Sequence, residues 1–374
     1  MTEIYLIRHT QAEGNRYRMM QGFWDGEVTE MGRRQIEALA GRFADLPLDA
    51  VYSSDLHRAV ETAEAAARRD RLPIRTRVAL RELNIGPWEQ KFFGNVCHAQ
   101  PELSHTFMFD AENFYLEGAE TYGDVRNRAM RELRELAEEN EGKRIAVVSH
   151  GVTIRCILSA VTGVPLNDVK TLPICRNTAV SKLIWDGGRF TAEYVNDISH
   201  LPPELQGNWS RAGDVRDELF RPADDRAYYE ACYADAWRSA HGNLRHFSAD
   251  TYYQAALRHH AAVPGSVLRL YEEDEPIGLV DLDPERGASE GVGWISLLYL
   301  KEECRGRGYG IQVLARPVFF YRELGRRLLR LDVAEDNAIA CRFYRREGFR
   351  VVGEHPGMEG KLLLMERPLW DRKP

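Results

Sequence analysis

The sequence predicts two mixed α/β domains in tandem: a doubly wound, three-layer α/β/α domain over residues 1–201 and an α+β domain over residues 218–374, joined by a linker at 202–217. Three observations carry this. Apolar strand patterns alternate with amphipathic helical ones through the first half, the order of a sheet with parallel pairings. Later, two short apolar runs flank an acidic turn, which signals a hairpin, and a third apolar run enters a Gly-rich loop. At 374 residues the chain also has room for roughly two to three cores of ordinary domain size.

Composition narrows the class. Hydrophobic residues at 44% and charged residues at 29% are ordinary for a soluble globular protein. A net charge of -7 argues against nucleic acid or an anionic membrane as a bulk partner, so the arginines are local tools. No basic region followed by an apolar core opens the chain, and no apolar run approaches the ~20 residues of a membrane helix. The six cysteines are scattered without a C-x-x-C pair, which suggests neither a zinc site nor a disulfide framework. A cytoplasmic protein is expected, and a homodimer is compatible with it.

Taken in order, Ile4-Tyr5-Leu6-Ile7 reads as a buried strand delivering Arg8 and His9 at its C-terminal end, where open α/β sheets place ligands. A polar, Gly-containing segment, Gln11 to Thr29, follows. The helix expected from Glu30 to Phe43 has Ile36, Leu39, Ala40 and Phe43 on one face. Residues 50–54 form a short strand, and Arg58 sits in the first turn of the Ala-rich helix after it. Asp124 to Asn140 is a helix with a Val125, Ala129, Leu133, Leu136 stripe. Arg144 to Ser149 is a buried strand, and His150-Gly151 turns it into another helix. His9, Arg58 and His150 would then share the carboxyl edge of one sheet.

An Arg-His pair alone is weak, because most histidines are structural or exposed. The ordered set Arg8-His9-Thr10, Asn15, Arg58, Arg81-Glu82-Leu83, Gly86-Pro87-Trp88-Glu89 and Ser149-His150-Gly151 is much more specific. With it, residues 1 to about 200 resemble the histidine phosphatase, or phosphoglycerate-mutase-like, superfamily. A phosphomonoester carries close to two negative charges, so forked donors suit it, and Arg8 and Arg58 can bind its oxygens bidentately. The resemblance implies that His9 attacks phosphorus to form a phosphohistidine. His150 would donate to the phosphoryl oxygens as charge redistributes, with Asn15 as a neutral donor on the same group. Glu82 is the candidate general acid, and the base for hydrolysis of the intermediate; the bland reading makes it a surface partner of Arg81. No metal is expected, since the arginines carry the charge work. Three departures from the commonest pattern bear on the entrance: Thr10 and Gln90 stand where Gly is usual, and Pro87 stiffens the turn. The Leu80-Arg81-Glu82 form is closer to the phosphatases than to the mutases. Aromatic residues in the insertion from Phe92 to Glu117 read either as a lid or as core beneath a long loop.

Beyond the Pro/Gly-containing linker, Glu218 to Arg221 is an edge strand, with helices at about Asp225 to Ser239 and Tyr252 to His260. Strands at 266–271 and 277–282 flank the acidic turn, and Trp294 to Leu300 runs into Arg305-Gly306-Arg307-Gly308-Tyr309-Gly310. Amides at the start of the following helix suit a pyrophosphate. With Leu329 to Val333, Asn337, Ala340, Tyr344 and Gly348-Phe349, this stretch resembles the GNAT acyl-CoA N-acyltransferases over about residues 218 to 370. The resemblance implies acetyl-CoA as cosubstrate, its pyrophosphate on residues 305 to 310 and its pantetheine arm along Leu298 to Leu300. Asn337 would touch the cofactor and Tyr344 would protonate the departing thiolate. Pro317 is expected to kink or end the helix after the loop. The function expected is hydrolysis of a small phosphomonoester and acetylation of a small amine; the alternatives are mutase-type phosphoryl transfer and a phosphatase regulated by a CoA-binding domain.

Overall fold

A computed structural model describes residues 1–207 and 213–370. The chain divides into two compact units, residues 1–209 and 210–374, each described by itself.

The first unit runs β1 (Thr2–Arg8), α1 (Glu13–Tyr17), α2 (Glu30–Phe43), β2 (Ala50–Ser53), α3 (His57–Ala67), β3 (Ile74–Thr76), α4 (Phe93–Ala99), α5 (Pro101–Phe109), α6 (Tyr122–Glu139), β4 (Arg144–Ser149), α7 (Gly151–Thr162), β5 (Val180–Trp185) and β6 (Phe190–Asp197). Its sheet has the order β3-β2-β4-β1-β5-β6. The first four strands pair in parallel and β5 and β6 close the sheet antiparallel. Period-two alternation sends Ile4 and Leu6 into one core with Leu133, Leu136, Ile154 and Ile157, and Tyr5 and Ile7 into another with Ile36, Leu39, Ala59 and Ala63. Helices α6 and α7 therefore cover one face and α2 and α3 the other. The register Arg8 opposite Ser149 brings the C-terminal ends of β1 and β4 level, with His9 and His150 the next residues.

The expected helix stripe holds, since Val125, Ala129, Leu133 and Leu136 are fully buried. Thr121 and Asp124 start α6 by exchanging hydrogen bonds, Thr121 Oγ1 accepting from Asp124 N at 3.1 Å and Asp124 Oδ2 from Thr121 N at 3.0 Å. The insertion after Phe92 folds into α4 and α5. Phe107 and Phe114 pack there with Trp88 and Tyr122, so those two belong to a core, whereas Phe109 and Tyr115 are exposed.

The second unit runs β7 (Val215–Leu219), α8 (Pro222–His241), α9 (Ala249–Ala262), β8 (Val267–Glu272), β9 (Glu275–Asp283), β10 (Val292–Leu300), α10 (Tyr309–Glu323), β11 (Leu328–Ala334), α11 (Ala338–Arg346), β12 (Arg350–Gly357) and β13 (Gly360–Pro368). The order is β12-β13-β11-β10-β9-β8-β7. The β10–β11 pair is parallel and short, from Val292 opposite Leu328 to Ile295 opposite Leu331. Past a bulge at that point, β10 stays paired with β9 to Leu300, while β11 continues to Ala334 on β13 alone. The sheet thus opens between β10 and β11.

The edge strand starts at Val215, three residues before the expected Glu218. A larger correction concerns Pro317: α10 does not end there but runs six residues further. The proline removes one helical hydrogen bond. Burial of Val313, Leu314, Val318 and Tyr321 against the sheet on both sides of it holds the helix together.

Candidate active sites

At the carboxyl edge of the first sheet, four side chains converge on one small volume. Arg8 closes β1, and its Nη1 donates to the Cys175 carbonyl. His9 is 4% exposed; its Nδ1 lies 2.6 Å from the Thr10 carbonyl, which makes Nδ1 the protonated nitrogen and leaves the Nε2 lone pair available. Asn177 Nδ2 holds the His9 carbonyl at 2.9 Å. His150 is fully buried, and neither of its ring nitrogens has a hydrogen-bond partner among the described residues. The two imidazole centroids are 5.0 Å apart.

Arg58 is buried too, not a surface cation. Its Nη1 donates to Trp24 O at 2.9 Å and its Nη2 to Gly22 O at 2.7 Å. That loop is itself held by Glu89, whose carboxylate accepts from the amides of Gly22, Phe23 and Trp24 at 3.2, 2.6 and 2.9 Å. Asn15 Oδ1 accepts from Ala12 N and Asn177 Nδ2, which turns its amide nitrogen the other way. Burial, followed by the Arg58 and Arg8 charges, pushes the His9 imidazole far below its ordinary range. His150 is driven down by burial, Arg58, His9 and Arg8. Burial brings even Arg58 down to about 10. The pocket is therefore a cationic cavity holding two neutral imidazoles, which suits a dianion.

Glu82 is not paired with Arg81, which instead binds Asp55 at 2.7 and 2.5 Å. Its carboxylate accepts from Val152 N and Thr153 N, both at 3.1 Å, at the first turn of α7 beside His150. Arg128 on α6 braces the segment carrying it, donating to the carbonyls of Ala79, Arg81 and Glu82 at 2.7, 2.8 and 2.8 Å while pairing with Glu120. Two of the unusual positions have local explanations. Thr10 Oγ1 donates to Gly32 O at 2.6 Å, tying β1 to α2. Gln90 takes φ 62, the left-handed region that favours glycine.

In the second unit, Gly306 and Gly308 have φ 73 and 95, and α10 starts immediately after. Arg305 Nε donates to Leu300 O at 2.9 Å, folding the loop back on β10. Leu298 and Leu300 lie on the stretch of β10 beyond its pairing with β11, so one backbone edge there is open to an extended ligand. Tyr309 is fully buried with its hydroxyl on Glu272, which makes it a core residue rather than a lining one. Arg307 Nη2 also reaches Glu272, at 3.2 Å. A Cβ at Gly310 would lie 2.9 Å from Phe343 Cε2, so the glycine lets α10 and α11 approach. Asn337 caps α11 by accepting from Ala340 N at 3.1 Å. Tyr344 is buried on α11 with no hydrogen bond to its hydroxyl among the described residues, and burial pushes that hydroxyl well up, keeping it protonated.

Residues 4–198 match the histidine phosphatase superfamily (branch 1), with the four converging side chains at positions 8, 9, 58 and 150 inside the match. The chain belongs to the histidine phosphatase superfamily. Within it, "Probable phosphoglycerate mutase GpmB" of Proteus mirabilis (strain HI4320) is 30% identical over 206 residues, 54% of this chain and 95% of the relative. The protein of the same name from Escherichia coli (strain K12 / DH10B) is 28% identical over the same shares. The solved structure of Bacillus stearothermophilus YhfR is 31% identical, covers 54% of this chain and 99% of its own, and superposes with a TM-score of 0.52. Residues 228–349 match the acetyltransferase (GNAT) family. The chain thus pairs a histidine phosphatase domain with a GNAT acetyltransferase domain, families that indicate phosphatase-type and N-acetyltransferase activity, the latter implying acetyl-CoA. No helix among the described residues is long and apolar enough to cross a membrane, and none of their His, Cys, Asp and Glu side chains form a metal-holding group of three.

Sequence reasoning overlooked Asn177, Arg128 and the role of Glu89. Each acts through backbone groups far away in the chain, which no local spacing shows.

Proposed function

We propose that the first unit hydrolyses a small-molecule phosphomonoester through a phosphohistidine at His9, without a metal. The observation that carries the reading is the His9 ring itself: Nδ1 is engaged by Thr10 O, and burial beside Arg8 and Arg58 keeps the ring neutral, so Nε2 is a nucleophile at neutral pH. Arg8, Arg58, Asn15 and His150 hold the phosphoryl oxygens, the last with ring nitrogens that have no other partner. As the Nε2–phosphorus bond forms and the ester bond breaks, Glu82 gives its proton to the leaving oxygen. Water then attacks the phosphohistidine and Glu82 takes the proton back. Incubation with a labelled monoester in EDTA should trap label on the wild type and none on His9→Ala, and normal phosphate release by His9→Ala would overturn the mechanism.

The second unit, on this reading, acetylates a small amine. The residues fit acetyl-CoA: the Arg305 amide is held by Glu302 O, but glycines at positive φ present the amides that follow, 306–310, at the start of α10 to a pyrophosphate, and the open edge of β10 at Leu298 to Leu300 can pair with the pantetheine arm. Asn337 lies at the start of α11 for a further contact. The cosubstrate supplies an activated acetyl thioester, and Tyr344 Oη offers a proton to the sulfur. Thiol release from acetyl-CoA with a panel of amines tests this, and binding without release would make the unit a CoA sensor. Because the named relatives are probable phosphoglycerate mutases, mutase-type phosphoryl transfer is the second reading. Transfer without net phosphate release would favour it.

A further inference from the structure

Helix α2 buries Gly32, Gln35, Ile36, Leu39 and Phe43 along one stripe, and Gln35, 2% exposed, is the polar member of that stripe. A buried primary amide is costly to leave unpaired at either end. Gln35 has a partner at each. Its Oε1 accepts from Gln11 N at 2.9 Å, and its Nε2 donates to Leu205 O at 2.8 Å. The flipped amide would set oxygen against carbonyl and N–H against N–H, so these roles are fixed.

The Gln11 amide shares a peptide plane with the Thr10 carbonyl, and in a trans peptide the two groups point opposite ways. That carbonyl lies 2.6 Å from His9 Nδ1. One line of hydrogen bonds therefore runs from the His9 ring through the 10–11 peptide and Gln35 to Leu205 O, with every donor facing the same way and each bond polarising the next.

Leu205 belongs to a strap at the end of the first unit. Leu201 and Leu205 are buried, and Gln206 Nε2 closes the strap on Leu201 O at 3.0 Å. Arg176 Nη1 donates to Gln206 O and Gly207 O at 3.0 and 3.2 Å. Arg176 itself stands between Cys175, whose carbonyl receives Arg8, and Asn177, whose side chain holds the His9 carbonyl. The strap thus reaches the phosphate pocket by two routes, one through Gln35 and one through Arg176.

We infer that the strap formed by residues 201–207 is a working part of the phosphatase site and that Gln35 is the positioning residue through which it fixes the His9 tautomer. The kinetic consequence rests on the phosphatase reading above; the tautomer does not. With the 10–11 peptide loosened, the neutral imidazole can carry its proton on Nε2, and a protonated Nε2 cannot attack phosphorus.

Two variants separate the possibilities. Gln35→Leu removes both hydrogen bonds, and Gln35→Glu keeps the shape and the acceptor but loses the donor to Leu205 O. In the nitrogen NMR spectrum of isotopically labelled full-length protein, with His9 assigned by its absence from His9→Ala, the wild type should show one tautomer protonated at Nδ1. Both Gln35 variants should show the Nε2-protonated form as well. Per site labelled in rapid quench, kcat on p-nitrophenyl phosphate should fall about three- to tenfold in each, with KM near the wild-type value because Arg8, Arg58 and His150 are untouched. Arg176→Gln, which slackens the far end of the strap, should show a smaller fall of the same kind, largely restored in Arg176→Lys. An unaltered tautomer in both Gln35 variants, or fewer labelled sites with kcat per site unchanged, would overturn the positioning role, and a wild-type kcat in Arg176→Gln would remove the strap from the site. Failure of the wild type to hydrolyse p-nitrophenyl phosphate, with the tautomer still shifting in the variants, would instead overturn the phosphatase reading and leave the relay standing.

Discussion

At His9 and His150, burial and the flanking guanidiniums act in the same direction, and both rings are held neutral well below pH 6.5. In the unfolded chain each would titrate at the ordinary 6.5, so between the two values the unfolded state binds more protons. Their contribution to stability is complete above pH 6.5 and is lost as pH falls below it, by up to about 1.4 kcal/mol per pH unit for each proton taken up only on unfolding. The midpoint of the unfolding transition that inorganic phosphate raises should therefore fall between pH 7 and pH 5, and less steeply in His150→Gln. Equal slopes would contradict the buried neutral pair. At this scale the reacting groups were readable because their chemistry is local: a strand end followed by Arg-His, a helix opening with Arg, a strand end followed by His-Gly. The partners were not. Asn177 is 168 residues from the His9 carbonyl it holds, and Arg128 reaches carbonyls 46 to 49 residues away.

Arg128 does its work at the level of elements, since it fastens the 79–82 segment onto α6 and so sets where the Glu82 carboxyl stands. A proton donor matters most when the leaving group is a poor one. Arg128→Met should lower kcat on alkyl monoesters by about tenfold or more while changing turnover of p-nitrophenyl phosphate far less, and Glu82→Gln should show the same pattern more strongly. A uniform loss over both ester classes would mean that the brace is only structural. In the second unit, α10 and α11 close on each other at Gly310, so Gly310→Val should wedge them apart at a cost of about 1–3 kcal/mol and weaken acetyl-CoA binding, measurable by titration calorimetry. Unchanged affinity would remove the α10 start from the binding site. Long periodic helices such as α2 and α6 were legible nearly to the residue. The Pro317 helix was not, because burial outweighed a local penalty, and β12 escaped notice because its residues are mostly exposed and include two glycines and a proline.

Across the whole molecule, two compact units with sheets of different order accompany two matches to different enzyme families. The sequence predicts two domains from local patterns, strand and helix alternation in the first half and a hairpin signal followed by a Gly-rich loop in the second. On the mechanisms proposed above, each activity has its own residues. Tyr344→Phe should slow thiol release from acetyl-CoA and leave phosphate release as it was; His9→Ala should leave acetyl-CoA affinity unchanged. Loss of both activities in either variant would contradict that division.

The most direct measurement is rapid quench of the wild type and His9→Ala with a labelled phosphomonoester in excess EDTA, followed by acid and alkali treatment of the protein. The wild type should carry an acid-labile, alkali-stable label at His9, absent from the variant. Steady phosphate release with no label at His9, or undiminished release from His9→Ala, would contradict the phosphohistidine mechanism.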